Sequence, residues 1–425
     1  MKWIILSFAL IFSAPIFSKS PSIRHAYLTW KDYTAKSITI NIHSLQSDTI
    51  SVTLYDKETQ VYHIQSKGKL FLKGISPRYL HHIPVHNLDP DSLYKIVIRI
   101  PDSTSTKTIK FKTLPESSVG LRLAFGGDWE TCDNGEQIAK VIAYRHPHAL
   151  IMGGDYPRFV ESIHDYQKWD EWLDMIETHI IKKDGCSIPM ILAIGNHDVF
   201  GAYDQPRMNA PFFNNYFKQS SYKRNYFAKT LGKDIVLFIL DSGHTAEHGG
   251  EQTKWLAKML ERHKDKRIKL AVYHVPIYPS VRFSKETLLF KTADLFFQLT
   301  GEDWKSEILI SKQTRAAKKH WAPLFDKYNL TCGFEHHEHC LKRTKLIKNG
   351  AIHENGTLYL GDGALGPCYQ HTPIQTFIND YFAKTIGFIN FFWLVEIRED
   401  HIRYRAVGSH GRTVDEYIQP LGVKL

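Results

Sequence analysis

Cysteine is scarce in this chain, and the few that occur are widely spaced. Five cysteines are distributed over 425 residues, and no two of them form a CxxC pair. This spacing argues against a zinc finger and against a thioredoxin-type redox site. In an oxidising compartment one or two disulfides can form, and the odd count leaves at least one thiol free. The sequence does not identify the pairs.

Long apolar runs are missing beyond the N-terminus. The longest, 386–397, is interrupted by glycine and asparagine, which predicts a buried strand rather than a membrane span. At the N-terminus Lys2 precedes the apolar stretch 3–17, and this pattern predicts a signal peptide over residues 1–18. An uncleaved anchor is the alternative, although a spanning helix needs roughly 20 residues. We expect a secreted or periplasmic protein without stable membrane insertion.

The chain also lacks a basic tract with interleaved aromatic residues, the pattern of single-strand nucleic-acid binders. Its 54 Lys and Arg against 44 Asp and Glu give a net charge of +10. Loss of residues 1–18, which contain one lysine, leaves +9. A positive surface favours anionic partners without specifying them, so nucleic acid stays open as a partner.

Two patterns divide the chain at a polar, proline-containing stretch near residue 116. Residues 20–116 contain short alternating segments such as 49–55, separated by polar turns, which predicts an all-β sandwich. A turn followed by Tyr94 at a strand start resembles the tyrosine corner of a fibronectin type III domain. Residues 119–425 repeat a strand–loop–helix pattern, which predicts an α/β (α+β) domain.

Five short motifs in this second part offer side chains that bind metal ions. Most follow predicted strands, and the carboxyl ends of strands in an α/β sheet meet at one edge, so we expect the side chains to converge. Carboxylate, amide and imidazole groups can hold two ions roughly 3.5–4 Å apart, and such a pair clamps a phosphoryl group. The motifs are Gly127-Asp128, Gly154-Asp155, Gly195-Asn196-His197-Asp198, Tyr273-His274 and His337-Glu338-His339.

Each motif alone also has a purely structural interpretation. Gly-Gly-Asp after an apolar run can be a tight turn in which the Asp caps the next helix. A strand-end histidine such as His274 is more often a core or turn residue than a ligand. The His-rich stretch 336–339 can be a surface tract. The tandem occurrence of the motifs favours the metal site over these separate explanations.

Two motifs are the more specific ones. In the third motif Asn196 offers a neutral carbonyl ligand, while His197 faces substrate and Asp198 could orient its imidazole. In the fifth motif residues 337 and 339 lie on one face of an extended segment, so that one histidine can reach each of two ions.

The order GGD, GGD, GNHD, VYH and HEH, preceded by a fibronectin-like domain, resembles the purple acid phosphatase branch of the binuclear metallophosphoesterases, within the calcineurin-like phosphoesterase superfamily. The resemblance spans nearly all of the chain after residue 18, and Arg343 and Asp415 also match. It implies an all-β sandwich followed by a metallophosphoesterase domain, with two sheets flanked by helices and a metal site at the strand ends.

The resemblance also implies a role for each site residue. The first metal would be held by Asp128, Asp155 and His339, with Asp155 bridging to the second metal. The second metal would be completed by Asn196, His274 and His337. His197 would contact the phosphate and help to protonate the leaving group, with Asp198 beside it.

The chain departs from the family pattern at three places. The tyrosine of the family's GDxxY motif, which binds ferric iron, is replaced by Arg158, and Tyr156, Glu130 or water are the alternatives for the vacancy. His336 stands where a glycine is usual. Extra substrate-facing histidines are missing, and Arg282 is the nearest cation; Arg158 and Arg282 are the predicted substrate-binding residues.

The implied reaction is hydrolysis of a phosphate monoester, acid phosphatase-like, by a hydroxide held on two metal ions, which are iron, zinc or manganese. The expected substrate is a phosphorylated small molecule or a phosphoprotein. One alternative is a phosphodiesterase or nuclease that uses the same site, and another is a catalytically inactive exported binding protein. The segment 284–318 is either a helical lid over the site or a surface insertion.

Overall fold

The computed structural model describes residues 22–101, 103–220, 224–282, 310–361, 363–374 and 379–422. The expected signal peptide lies outside these residues, as does most of the proposed lid, 284–309. Among the described residues, no helix has the length and apolar character needed to cross a membrane.

The N-terminal part is built from eight strands in two antiparallel groups. One group has the order β1-β2-β6-β5, and the other has the order β4-β3-β7-β8. The two groups share a core of alternating apolar residues, as the period-two pattern predicts. The strands are β1 (Ser22–Thr29), β2 (Ile38–Leu45), β3 (Thr49–Asp56), β4 (Thr59–Lys67), β5 (Lys69–Phe71), β6 (Arg78–Val85), β7 (Leu93–Arg99) and β8 (Thr106–Lys112).

Tyr94 makes the contact that a tyrosine corner requires. The backbone N–H of Asp89 donates to the Tyr94 hydroxyl over 2.9 Å, which closes the turn before β7. The strand-rich N-terminal region is therefore confirmed. Its assignment as a fibronectin type III-like domain over 20–116, and the limits 119–425 of the second domain, stay predictions.

The second part alternates strands with helices. Its strands are β9 (Arg122–Gly126), β10 (Ala149–Met152), β11 (Met190–Leu192), β12 (Phe227–Leu231), β13 (Ile235–Ile239), β14 (Ile268–Tyr273), β15 (Cys332–Glu335), β16 (Leu341–Thr344), β17 (Ile347–Lys348), β18 (Ala351–Ile352), β19 (Leu358–Gly361), β20 (Phe382–Ile386), β21 (Phe391–Ile397), β22 (His401–Gly408) and β23 (Thr413–Pro420). Its helices are α1 (Asp133–Tyr144), α2 (Tyr166–His179), α3 (Pro211–Tyr216), α4 (Gly250–Arg262), α5 (Lys312–His320) and α6 (Ala322–Lys327).

Two sheets pack face to face in this part, and helices cover their outer faces. The rings of Phe125 on β9 and Phe334 on β15 stack with centroids 3.7 Å apart, which joins the sheets at the centre. Helices α1 and α2 cover the sheet that contains β9–β11, while α4, α5 and α6 cover the other. The strand β13, which lies between β12 and β14, is buried along its whole length, so its sequence IVLFI is apolar throughout rather than alternating. The expected architecture of two sheets flanked by helices is confirmed.

The apolar run 386–397 does not form one strand. It is divided between the end of β20 and the strand β21, which begins only at Phe391. Gly387 and Asn390 interrupt the run, and the described structure leaves the sheet between them. The buried strand predicted here is therefore shorter than expected.

The N-terminal strands continue the sheet of the second part. Strand β1 pairs in parallel with β11 through Thr29 and Met190, which gives a ten-stranded sheet of order β23-β22-β21-β9-β10-β11-β1-β2-β6-β5. The other large sheet has seven strands, in the order β12-β13-β14-β15-β19-β16-β20. Separate motions of the two parts would therefore break sheet hydrogen bonds.

Ion pairs reinforce this junction. Helix α2 carries Asp170, whose carboxylate accepts hydrogen bonds from Arg78 on β6 and contacts Nε2 of His25 on β1 at 3.1 Å. On the same helix Glu177 contacts Nδ1 of His25 at 3.0 Å. Because Arg78 and His25 are buried, these pairs are screened much less than surface pairs would be.

Candidate metal centre

The five motifs meet where strands end. Asp128 and Asp155 follow the parallel strands β9 and β10 of the ten-stranded sheet, which end at the same edge. His274 directly follows β14 of the facing seven-stranded sheet. Asn196 begins a short 3-10 turn after β11, and the fifth motif follows β15. All the predicted metal-binding residues therefore lie near one another.

Asp128 and His339 form the first contact of the cluster. Nε2 of His339 lies 3.1 Å from Oδ1 of Asp128, and both residues are buried. The second carboxylate oxygen of Asp128 accepts the backbone N–H of His337 at 3.0 Å. Nδ1 of His339 lies 2.5 Å from the carbonyl oxygen of Tyr369, which makes Nδ1 the donor. The lone pair of Nε2 then faces the carboxylate.

His274 makes the second contact. Its Nδ1 donates to the carbonyl oxygen of Gly153 at 3.0 Å, so Nε2 is left as an acceptor in the neutral ring. That Nε2 lies 3.0 Å from Oδ2 of Asp155 and 2.9 Å from Oδ1 of Asn196, both of which are also acceptors. Three electron pairs that face one another require a cation or a proton between them. This arrangement fits a bound metal ion.

His337 completes the second group. One side-chain ligand atom from each of Asp155, His274 and His337 lies within 4.8 Å of the others, close enough to hold one ion together. Oδ1 of Asp155 meanwhile accepts the backbone N–H of His197 at 2.7 Å, which fixes the carboxylate. The donor set contains oxygen and imidazole nitrogen, which suits iron, zinc or manganese.

The electrostatics of the cluster favour charged groups in spite of burial. Burial opposes a charge on His274, yet the carboxylates of Asp155 and Asp128 raise its pKa to about 9. Burial likewise opposes a charge on Asp155, yet His274 and His197 hold its pKa well below the ordinary value. The cluster therefore keeps negative charge on its carboxylates and attracts cations.

Three of the predicted ligands have left-handed backbone conformations. Asp128, Asp155 and His337 have φ values of +57°, +56° and +68°. Such conformations cost about 1–3 kcal/mol each for residues other than glycine, and they cluster at functional sites. Backbone strain at three neighbouring positions indicates that the placement of these side chains is maintained at a cost in local stability.

The carboxylate of Asp198 accepts hydrogen bonds from backbone N–H groups rather than from the ring of His197, which was the expected partner. Oδ2 of its carboxylate accepts the backbone N–H groups of Asp155 at 3.0 Å and of Gly195 at 2.8 Å, and Oδ1 accepts that of Tyr156 at 3.3 Å. Among the described hydrogen bonds none joins Asp198 to the His197 ring. Asp198 thus ties the second motif to the third. Burial and the nearby Asp155 raise its pKa to about 8.

His197 borders the cluster and is only partly buried. Its ring meets that of Phe159 at a centroid distance of 5.8 Å in an edge-to-face arrangement. The His197 backbone is held by Asp155, so its partly exposed ring remains available to a bound substrate.

The position of the missing tyrosine is occupied by an ion pair. Nη1 of Arg158 donates to Oε1 of Glu130 over 2.6 Å. Tyr156 is fully buried and its hydroxyl donates to the carbonyl oxygen of Ala193 over 2.5 Å. The suggestion that Tyr156 replaces the metal-binding tyrosine is therefore wrong, because its hydroxyl is committed to the backbone within an aromatic core.

Arg282 lies beside the cluster. Its Nη1 is 3.4 Å from Oε1 of Glu338, a fully buried carboxylate that also accepts the backbone N–H of Ser280 at 2.5 Å. Burial first, and then the positive charge of Arg282, lower the pKa of His337 well below its ordinary value. Arg282 is thus close enough to act on the site electrostatically, and its predicted contact with substrate stays a prediction.

His336 explains a pair of glycines in the motifs. Its buried ring lies against Gly127 and Gly153, where an added Cβ would come 2.6 Å from Nδ1 and 1.7 Å from Cδ2 of the ring. Gly127 in the first GGD motif and Gly153 in the second thus provide room for this histidine. These contacts support a packing role for His336.

Three groups at the site lie outside the five motifs. Nδ1 of His371 accepts the backbone N–H of His339 at 2.9 Å, and the hydroxyl of Tyr203 lies 3.5 Å from Oδ1 of Asn196. The carbonyl of Tyr369, described above, also orients His339. A backbone carbonyl leaves no signal in a sequence, and neither His371 nor Tyr203 belongs to a recognisable motif. Sequence reasoning therefore missed all three.

Two packed sheets flanked by helices, with carboxylate, amide and imidazole groups at the strand ends, define the metallophosphoesterase class of hydrolase. Residues 122–304 match the family model of the calcineurin-like phosphoesterases. The match includes Asp128, Asp155, Asn196 and His274 and ends before the fifth motif, whose histidines the structure brings to the others.

Solved structures share the fold. The purple acid phosphatase PPD1 from yellow lupin (Lupinus luteus) seeds superposes with a TM-score of 0.72 at 14% identity, over 93% of this chain and 74% of that one. PhoD superposes with a TM-score of 0.72 at 11% identity, over 96% of this chain and 92% of that one. No curated protein matches the sequence. Together with the family match, these folds confirm the expected resemblance and favour a hydrolase over a non-catalytic binding protein.

Proposed function

We propose that this protein hydrolyses phosphate monoesters at a centre of two metal ions. The proposed ligands are Asp128, Asp155, Asn196, His274, His337 and His339. The observation that supports this most strongly is the tautomer of His274: its Nδ1 is committed to the Gly153 carbonyl, which leaves Nε2 facing two acceptors, Asp155 and Asn196. A proton, as the raised pKa of His274 indicates, or a metal ion that replaces it would satisfy all three acceptors.

The bound ions would polarise the phosphoryl oxygens and lower the pKa of water toward 7. The residues of this chain supply the rest. Asp155 would be the carboxylate shared between the two ions, as the resemblance implies. Its Oδ2 lies near His274, and its Oδ1 is held by the backbone N–H of His197. The partly exposed His197 contacts the phosphate and gives a proton to the leaving oxygen.

Asp198 acts as a positioning residue in this proposal. Its carboxylate connects the backbones of Asp155 and Gly195, and so sets the distance between the second and third motifs. A displacement of about 1 Å at such a site can lower the rate about 100-fold. We therefore assign Asp198 to the geometry of the ligands rather than to proton transfer.

We expect a monoester substrate rather than a diester because two arginines near the site are already paired with carboxylates. The diesterase or nuclease alternative depends on Arg158, Arg282 and the net charge of +9 as attractors of a nucleic-acid substrate. The structure pairs Arg158 with Glu130 at 2.6 Å and Arg282 with Glu338 at 3.4 Å, which offsets both charges. Turnover of an aryl phosphate monoester should therefore exceed turnover of the matching diaryl diester.

The test combines metal content with activity. Purified protein should contain about two metal ions per chain by elemental analysis and should hydrolyse an aryl phosphate, as a two-metal hydrolase does. Asn196→Ala should lose most of the activity and part of the metal. Asn355→Ala, an exposed residue in a turn, is the matched control and should behave as the wild type. Absence of bound metal, together with no turnover after addition of iron, zinc or manganese, would refute the proposal.

We also propose that residues 1–18 direct export and are removed. Determination of the N-terminus of the protein recovered from the producing cells tests this directly. A mature N-terminus near residue 19 is expected, whereas recovery of intact Met1 from the membrane fraction would favour the anchor.

A further inference from the structure

Two cysteines lie side by side at the rim of the metal centre. Sγ of Cys132 and Sγ of Cys368 are 3.2 Å apart, although 236 positions separate them in the chain. Cys132 also donates its S–H to the carbonyl oxygen of Gly366 at 3.1 Å. The other three cysteines are buried, whereas Cys132 is partly exposed and Cys368 is exposed. Only this pair combines mutual contact with access to a reagent in solution.

The two cysteines belong to the segments that hold one ligand pair. Cys132 lies four residues after Asp128, just before α1. Cys368 precedes Tyr369, whose carbonyl fixes Nδ1 of His339. A bond between the sulfurs would therefore connect the loop of Asp128 to the loop that orients His339. This is the same pair of ligands that meets at 3.1 Å.

We propose that Cys132 and Cys368 form a reversible disulfide that fastens the loop 363–371 onto the start of α1. A bond between distant segments restricts the unfolded chain, and it also limits local opening of the loop that it ties down. The disulfide does not depend on the enzymatic activity proposed above, since it follows from the positions of the two sulfurs.

A small-molecule disulfide such as oxidised glutathione can serve as the oxidant that forms this bond. One cysteine thiolate attacks a sulfur of that disulfide, which forms a mixed disulfide and releases one thiol. The thiolate of the second cysteine then attacks the sulfur of the first cysteine in the mixed disulfide. The protein disulfide forms, and a second small-molecule thiolate leaves. The two cysteine protons pass to the two released thiolates, and the two electrons reduce the external disulfide.

The rate of this exchange should depend on pH. Hydrogen bonding to Cys132, together with burial, raises the pKa of the Cys368 thiol to about 11. Because the thiolate is the attacking species, the exchange should accelerate as the pH is raised from 7 to 9.

A redox titration of the purified full-length protein tests the proposal. The protein is equilibrated in buffers of reduced and oxidised glutathione, free thiols are blocked, and an unreduced digest is analysed by mass spectrometry. The expected result is one cross-linked peptide pair containing Cys132 and Cys368, which disappears when reduced glutathione is in excess. Hydrogen exchange of residues 363–371 should be slower in the oxidised protein than in the reduced protein.

Three cysteine variants test whether the cross-link involves these two residues. Cys132→Ser and Cys368→Ser should each abolish the cross-link and leave the partner thiol open to labelling. Cys186→Ser, which removes a buried thiol elsewhere, should leave the cross-link intact. The wild-type titration does not depend on the variants, so it still tests the proposal if a variant fails to fold.

Two outcomes would overturn the proposal. In the first, oxidised glutathione leaves both thiols free or attaches glutathione to each separately in the folded protein. In the second, the thiols resist labelling without any cross-link and become reactive after a zinc chelator is added. Because the side chain of Glu130 also lies within 4.8 Å of both sulfurs, the second outcome would assign these residues to a metal ion instead.

Discussion

Arg158 and Glu130 form a 2.6 Å ion pair at the position where purple acid phosphatases have their iron-binding tyrosine. Both side chains are mostly buried, with 22% and 15% of their surfaces exposed. The chain therefore retains the proposed carboxylate, amide and imidazole ligands while it lacks the phenolate.

This ion pair leads to a prediction about colour. Protein loaded with iron should be nearly colourless, because Arg158 replaces the tyrosine of the family pattern and the Tyr156 hydroxyl is bonded to the carbonyl oxygen of Ala193. The absorption spectrum of the iron-loaded protein between the ultraviolet and the near infrared checks this. Arg158→Tyr is the matched variant, in which a visible band should appear. A visible band of similar strength in the wild type would contradict the prediction.

His371 should affect metal affinity although it is not a proposed ligand. Its Nδ1 accepts the N–H of His339, which helps to fix the position of that imidazole. His371→Ala should weaken metal binding about 10- to 100-fold, the usual effect of removing a group that orients a ligand. Competition titration with a metal-sensitive dye measures this. The exposed His353→Ala serves as the control, and equal affinity in both variants would show that the contact has no such role.

The packing of His336 against Gly153 predicts a coupled effect on stability. Gly153→Ala should lower the free energy of unfolding by about 1–3 kcal/mol, because the added methyl overlaps the ring and Gly153 does not need a positive φ. The second substitution, His336→Ala, removes that overlap. The double variant should then lose less than the sum of the two single losses.

Urea unfolding of the four proteins measures this coupling. The control is Gly422→Ala, whose added methyl would have no neighbour within 4 Å. Strict additivity of the two losses would show that the glycine and the histidine do not constrain each other.

Asp170 should make stability depend on acid pH. Burial opposes its charge, yet the hydrogen bonds from His25 and Arg78 lower its pKa from 3.8 to about 2. Because the folded-state pKa is the lower one, the contribution of this carboxylate to stability is complete above the unfolded-state pKa. It is lost as the pH falls from about 4 to about 2. The shift corresponds to roughly 2 kcal/mol.

Asp170→Asn should remove that component of the pH dependence and destabilise the protein at pH 7, since Arg78 would stay buried with its charge uncompensated. Unfolding midpoints at pH 7 and pH 3 measure both effects. The exposed Asp265→Asn is the control. If the wild type and Asp170→Asn lose the same stability between these pH values, the ion pair does not control the acid sensitivity.

The sequence predicts the site better than it predicts the contacts around it. A carboxylate or histidine after an apolar run can be assigned to a strand end, and parallel strands bring such residues together, as Asp128 and Asp155 show. The alternation of residues 337 and 339 likewise follows from the geometry of an extended chain. These inferences need only local patterns.

The remaining features depend on partners that are distant in sequence. The single pairing of Thr29 with Met190 joins two sheets that look independent in the sequence. The carboxylate of Asp198 accepts backbone N–H groups from a segment about 40 residues away, and any polar residue could do so. A local pattern contains no information on such contacts, because they are set by how the strands are packed.

The junction at β1 and β11 has a consequence for attempts to shorten the protein. Removal of residues 22–113 would uncover the edge of β11, and an unpaired strand edge is a template for association with other chains. It would also leave Asp170, Asp174 and Glu177 on α2 without the basic side chains that contact them. The N-terminal strands thus protect the catalytic sheet from aggregation, and an isolated catalytic part should precipitate rather than remain in solution.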